Sequence, residues 1–340
     1  MEEIKVLIIN DEGEDIQLEE SVILNSFEEK PESLVIKYIP ASDKETVEKE
    51  LPSADGVISV YTEFDRETLE QMKKCKIIAT QTIGVNTIDL DAATEAGICI
   101  TNVPDYCVEE VAAHTATLAL SCARKITVYD KISRDKVWNV DDIYKYGQLH
   151  RLSGQTYGLV SFGNIGRHVA EMMKAFGMKI MAFDPFLKDE VFEACGVERA
   201  ETLEELFSAC NMISLHTPLT AKTEGMIGMD LLKRMPEGGI LINTSRGGII
   251  KEGDLYEALK TGVLAAAGVD VIIDEDTFES ALYELDNVIV TPHVAYYSEE
   301  ALIECKRKAA EQIGDVLGRK CAPKYLINKS VKEIARVALS

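Results

Sequence analysis

Residues Thr156–Arg167 read Thr-Tyr-Gly-Leu-Val-Ser-Phe-Gly-Asn-Ile-Gly-Arg, and after a helical pattern residues Met178–Asp184 read Met-Lys-Ile-Met-Ala-Phe-Asp. The order is strand, tight glycine turn, helix, second strand, acid. That is one half of a dinucleotide-binding fold. Gly163 lets the backbone approach a pyrophosphate, and Gly166 lets the helix pack closely on the strand. The turn residues Gly163, Asn164, Ile165 and Gly166 open a helix whose free N–H groups and dipole favour phosphate. Asp184 ends the second strand, 18 residues after Gly166, where a carboxylate can accept from the adenosine ribose hydroxyls. No Arg follows it closely, which favours NAD over NADP. The fingerprint departs from G-x-G-x-x-G at its first position, which is Ser161; Gly158 lies too early, inside the strand. A P-loop is excluded, because Asn164 and Ile165 stand where Lys and Ser/Thr are required.

Before this stretch, apolar β-rich runs at 5–10, 34–39, 56–60, 76–80 and 98–100 alternate with helical patterns at 16–27, 43–51, 65–72 and 89–96. Short connections between alternating strands and helices imply a parallel sheet covered on both faces. The turn Thr82-Ile83-Gly84-Val85-Asn86 follows the fourth strand, at the carboxyl end where such sheets place ligands. Its backbone amides could hold a small anion, although taken alone it reads as an ordinary turn. A breaker segment, 102–106, precedes a long Ala-rich helical pattern from Glu109 to about Asp130. Residues 132–151, with Trp138, read as an arm that either contacts a second subunit or folds back on its own.

After Asp184 the alternation resumes. Helical patterns fall at 203–209, 252–260 and 299 to about 317, and strands at 212–216, 239–243, 265–271 and 288–290. The tail beyond Cys321 reads as poorly ordered. There is no internal repeat.

At 340 residues the chain is long enough for two domains. Its formal charge of −22 and lack of any Lys/Arg run argue against nucleic acid and anionic membranes as partners. No apolar run is long enough to span a bilayer, and the N-terminus is not a signal peptide. The eight cysteines are scattered without a C-x-x-C pair, so no metal or redox motif is expected and a reducing cytoplasm fits.

Four polar residues stand just past successive strands: Arg246, Asp270, Glu275 and His293. In a doubly wound sheet these ends share one rim with the glycine turn. Hydride exchange between an alcohol and NAD needs a base for the hydroxyl proton, a cation for an adjacent carboxylate or carbonyl, and a carboxylate to hold the base. His293, Arg246 and Glu275 supply these types. Glu275, flanked by Asp274 and Asp276, could equally belong to a solvated acidic turn. His114, in the Ala-rich helix, reads as a satisfied buried histidine, and His168 as an exposed one.

Seven ordered segments carry a resemblance: Ile83–Asp89, Asn102–Tyr106, Phe162–Arg167, His216–Thr220, Asn243–Gly247, Gly268–Val271 and Thr291–His293. Together they resemble the D-2-hydroxyacid dehydrogenases over nearly the whole chain. The run Pro292–Ser298 looks most like the branch of the C-terminal-binding-protein corepressors and their bacterial relatives. The resemblance implies a fold of two doubly wound parallel-sheet domains with a cleft between them. A flavodoxin-like substrate domain takes 1–101 and 297–340, and a Rossmann-type NAD domain takes 102–296. It implies Arg246 on the substrate carboxylate and carbonyl, His293 as acid/base and Glu275, five residues after Asp270, as its partner. Asp270 then contacts the nicotinamide amide. Gly84, Val85 and Asn86 hold the substrate carboxylate, with Tyr296 beside the substrate. His216, Thr217, Pro218, Thr223, Thr244 and Ser245 join the glycine turn and Asp184 around NAD. A homodimer through the arm is implied as well.

Two departures bear on this. The loop 272–276 lacks the usual Phe-Glu and Pro around the catalytic Glu. The strand-end segment Val60-Tyr61-Thr62-Glu63 carries no Arg, and no extra regulatory domain is read, which argues against a phosphoglycerate dehydrogenase of serine synthesis. Tyr296 and Tyr297 hint at an apolar or aromatic substrate side chain. The expected function is hydride exchange between NAD(H) and a small 2-keto or D-2-hydroxy acid. The alternatives are the phosphoglycerate enzyme and an NADH-sensing, corepressor-like binding protein.

Overall fold

The computed structural model describes residues 3–337 apart from 12, 14, 29–30, 32, 139–144, 146 and 278. The chain forms two compact units. The first joins the residues up to Tyr106 to those from Ser298 onward, and the second spans Cys107–Tyr297.

In the first unit five strands, β1 (Ile4–Asn10), β2 (Leu34–Pro40), β3 (Gly56–Ser59), β4 (Ile77–Thr80) and β5 (Cys99–Thr101), form one sheet in the order β2-β1-β3-β4-β5. Every pairing is parallel. β3 and β4 are buried throughout, as a sheet covered on both faces requires. One face packs on the helices Lys44–Glu50, Arg66–Gln71 and Leu90–Glu95 through Val47, Leu69, Ala92 and Ala93. Each of these helices starts at an aspartate, Asp43, Asp65 or Asp89, whose carboxylate accepts from the N–H three residues on. The other face is closed by Gln17–Leu24 and the C-terminal helix Glu299–Gly314, which contributes Cys305, Ala309, Ala310 and Ile313.

The tail expected to be poorly ordered is instead docked on this unit. Leu326 bridges Thr101, and Val331 is fully buried. The Asn328 side chain accepts from Ile100 N and donates to Ile98 O, so it continues the hydrogen bonding of β5. Sequence pattern hides this, because the anchors are single residues that share no period.

The second unit holds seven strands: β6 (Thr156–Val160), β7 (Lys179–Phe183), β8 (Glu198–Arg199), β9 (Met212–Leu215), β10 (Ile240–Asn243), β11 (Ala266–Val269) and β12 (Val288–Val290). Their order is β12-β11-β10-β9-β6-β7-β8, all parallel. The order reverses between β6 and β9, which puts the switch point of a doubly wound sheet beside the glycine turn. The expected architecture of two doubly wound parallel sheets is borne out.

The helix expected from Glu109 to about Asp130 is two helices, Val108–Arg124 and Ile126–Arg134, broken at Lys125, whose φ is 52°. The first buries its alanine stripe, Ala112, Ala116, Ala119 and Ala123. The second buries no residue. Lysine is a good helix former, so composition gives no sign of the break. Trp138 at the start of the arm is exposed, and most of the arm's tip, 139–144 and 146, lies outside the described residues.

Candidate active site

The glycine turn links β6 to the helix Asn164–Ala175. No side chain caps this helix, and a Cβ built on Gly163 meets nothing within 4 Å. Those are the features of a phosphate cradle, with free N–H groups and open space beside them. A Cβ on Gly166 would stand 2.7 Å from Ser161 O, so only glycine fits there. Ser161 takes φ 73°, a conformation that costs a side-chain-bearing residue about 1 kcal/mol. Asp184 is buried at the end of β7 and accepts from Ser161 Oγ, Phe162 N and Phe186 N. The residues present therefore fit a dinucleotide.

His216 follows β9. Its Nε2 lies 2.7 Å from Ser214 Oγ, and its Nδ1 is shut off from solvent with no partner among the described residues. Burial pushes its pKa from the usual 6.5 to about 3. The imidazole is thus neutral and bonded back to β9. On unfolding it regains its ordinary pKa, so the unfolded chain takes up the proton first. This contribution to stability is complete above about 6.5 and is lost as the pH falls from there toward 3. Thermal melts between these limits are expected to show a flatter pH slope for His216→Asn than for the parent. An unchanged slope would contradict the buried neutral state.

At the far end of the rim, His293 lies three residues past β12 with φ 50°. Its Nδ1 is 2.7 Å from Glu275 Oε2. The carboxylate can only accept, so this bond puts the proton on Nδ1 and directs Nε2 outward. The His293 ring stands edge-on to Tyr296 at 6.4 Å. Asp270, directly after β11, holds this turn. Its carbonyl accepts from His293 N, Oδ1 accepts from Thr291 Oγ1 and Val294 N, and Oδ2 accepts from Ala295 N. Three donors on one buried carboxylate make Asp270 the post around which the His293 turn is wound. Oδ2, with a single donor, retains capacity for a further one.

Arg246 lies three residues past β10, half-buried, with Nη1 donating to Ser245 O. Ser245 Oγ donates to Leu215 O and Thr244 Oγ1 pairs with Thr115 Oγ1, so both hydroxyls brace the strand ends. The backbone of Ile272 lies directly on Gly247: a Cβ there would be 2.0 Å from Ile272 O. This contact seats the Glu275 loop against the turn that carries Arg246. The loop after Thr217 and Pro218 is closed by Thr223 Oγ1, which donates to Pro218 O.

In the first unit the turn Gly84-Val85-Asn86 uses its carbonyls internally. Gly84 O accepts from Thr82 Oγ1, and Val85 O accepts from Ile88 N.

His114 is a site neighbour that sequence reading missed. Its Nε2 lies 3.0 Å from Thr291 Oγ1, which donates onward to Asp270. With Thr115 it ties the helix Val108–Arg124 to the ends of β10 and β12. Polar residues inside an alanine-rich helix were the only signal.

A doubly wound sheet with a dinucleotide cradle and a His–Glu pair on one rim defines a nucleotide-binding α/β protein equipped for proton transfer. Residues 116–295 match the family model for the D-isomer specific 2-hydroxyacid dehydrogenase, NAD binding domain. The chain is 38% identical over 275 residues to a D-3-phosphoglycerate dehydrogenase of Methanocaldococcus jannaschii, covering 81% of this chain and 52% of that protein. It is 36% identical over 286 residues to a glyoxylate reductase of Thermococcus litoralis, covering 82% and 84%. The D-lactate dehydrogenase of Aquifex aeolicus, solved with NAD and lactic acid, superposes with a TM-score of 0.76 at 28% identity, over 92% of this chain and 95% of that one. The chain belongs to the D-isomer specific 2-hydroxyacid dehydrogenase family, with NAD as its cofactor. It spans about half the length of the phosphoglycerate dehydrogenase it matches. Placement in the corepressor branch rests on Pro292–Ser298 alone.

Proposed function

We propose that this protein interconverts a small 2-keto acid and the corresponding D-2-hydroxy acid. The observation that carries the reading is the hydrogen bond between His293 Nδ1 and Glu275 Oε2 at 2.7 Å. NAD(H), held by Gly163–Gly166 and Asp184 with the 216–223 and 244–245 loops, supplies or accepts the hydride. His293 Nε2 gives a proton to the carbonyl oxygen in reduction and takes it back in oxidation. Glu275 fixes the tautomer and the orientation of the ring. Arg246 binds the substrate carboxylate and polarises the carbonyl through its fork of donors. Asp270 positions His293 and offers Oδ2 to the nicotinamide amide. In the first unit, read as the substrate domain, the Gly84–Asn86 turn offers amides to a carboxylate.

The relatives' names keep two substrate classes in view. The segment after β3 supports the unphosphorylated one, because Tyr61-Thr62-Glu63 brings an acid and no cation. Tyr296 beside His293 supports an apolar or aromatic substrate side chain. We expect phenylpyruvate or 2-ketoisocaproate to be reduced with higher kcat/KM than glyoxylate or 3-phosphohydroxypyruvate. Equal rates on glyoxylate and the bulky acids would refute the tyrosine-lined specificity, and strong preference for the phosphorylated acid would favour a phosphoglycerate dehydrogenase. A homodimer through the Trp138 arm and a cytoplasmic location belong to the same reading. No described helix is long and apolar enough to cross a membrane.

A further inference from the structure

Ser161 departs from the glycine of the dinucleotide fingerprint yet keeps the left-handed backbone that glycine adopts freely, at φ 73°. A Cβ at such a position is strained, and the structure shows what accompanies it. The hydroxyl donates to Asp184 Oδ2 at 3.1 Å. The same oxygen accepts from Phe162 N at 3.0 Å, and Oδ1 accepts from Phe186 N at 3.0 Å. Two backbone donors hold the carboxylate, one on each oxygen, and Ser161 adds the only side-chain donor seen on it among the described residues. A glycine there could make no such bond.

We propose that Ser161 is a cofactor-selecting residue, whose hydroxyl holds the Asp184 carboxylate in the rotamer that accepts from a ribose diol and repels a 2′-phosphate. A carboxylate held by the two backbone donors alone is less firmly fixed, and offers a weaker acceptor to the diol and a weaker barrier to the phosphate. Ser161 touches the acid and acts through it, so it is a positioning residue. The inference rests on the reading of Asp184 as the ribose acceptor.

Dissociation constants for NADH and NADPH, measured by fluorescence on the purified protein without substrate, test it together with melting temperatures. Ser161→Ala removes the hydroxyl and keeps the strained Cβ; Ser161→Gly removes both. Each is expected to weaken NADH about 3- to 10-fold, the range of one hydrogen bond, and to weaken NADPH less. The preference for NADH therefore narrows in both, while Ser161→Gly melts above Ser161→Ala because the strain is gone. If Ser161→Gly binds NADH as tightly as the parent with the same preference, the serine is merely tolerated and the proposal is wrong. Asp184→Asn separates the two levels. An unchanged preference in that variant overturns the ribose reading itself. A changed preference there, with none in the Ser161 variants, overturns only the role of Ser161.

Discussion

Alanine at position 293 is expected to lower kcat by about 10²- to 10⁴-fold, the range for loss of a positioned general acid/base. Its effect on NADH affinity should be small. The proposed cofactor cradle comprises Gly163, Gly166 and Asp184 around β6 and β7, whereas His293 stands past β12, the strand at one edge of the sheet. Glu275 cannot take over the role. Its contact is to Nδ1, the ring nitrogen away from the substrate in this mechanism. Nor is the fold at risk, because the turn is held by Asp270 through the main-chain N–H groups of residues 293–295, all of which an alanine retains. Single-turnover reduction alongside NADH binding separates the two effects. Turnover at the parent rate would remove His293 from the chemistry.

Gly247→Ala is expected to damage both stability and turnover. The added Cβ would fall 2.0 Å from Ile272 O, 2.2 Å from Ile272 C and 2.7 Å from Ile273 N. All three are backbone atoms, so no rotamer change relieves the clash. Either the Arg246 turn or the 272–275 loop must move. Movement of the loop draws Glu275 from His293, and movement of the turn displaces Arg246. Overpacking of this kind costs about 1–3 kcal/mol and sometimes more. We expect a lower melting temperature and a fall in kcat/KM larger than the lost stability alone explains. Gly253→Ala is the control. Nothing lies within 4 Å of its Cβ, and it sits in the helix Glu252–Lys260. That variant should be neutral or slightly stabilised. If Gly247→Ala behaves like Gly253→Ala, the close seating of the two loops does not matter to the site.

Much of the architecture was legible because the signals are local. Buried parallel strands are continuous apolar runs, and Asp43, Asp65 and Asp89 announce their helices as caps. The glycine turn could be read because glycine is demanded by close approach, as the 2.7 Å between a Gly166 Cβ and Ser161 O shows. Lys125 and Asn328 were not legible. One breaks a helix with a residue that favours helices, and the other ties the C-terminal tail to strand β5, more than two hundred residues back in the chain. β8 is two residues long, too short for any period to show.

The site divides the same way. Arg246, Asp270 and His293 could be picked out because each lies within three residues of a strand's end. Glu275 sits in an acidic loop with two acidic neighbours, and only the spacing from Asp270 singled it out. Its loop is seated by the Ile272 backbone lying on Gly247, a contact between distant segments. His114 and Thr115 could not be connected to Thr291 and Thr244, because those partners lie on other strand ends and no local pattern joins them.

The most direct test of the central claim is the configuration of the product. Purified protein, NADH and a 2-keto acid such as phenylpyruvate are combined, NADH oxidation is followed by absorbance, and the hydroxy acid formed is resolved by chiral chromatography. One NADH is expected to be oxidised per keto acid, with the D-enantiomer as the sole product. Tight NADH binding with no turnover of any 2-keto acid offered, or formation of the L-enantiomer, would contradict it.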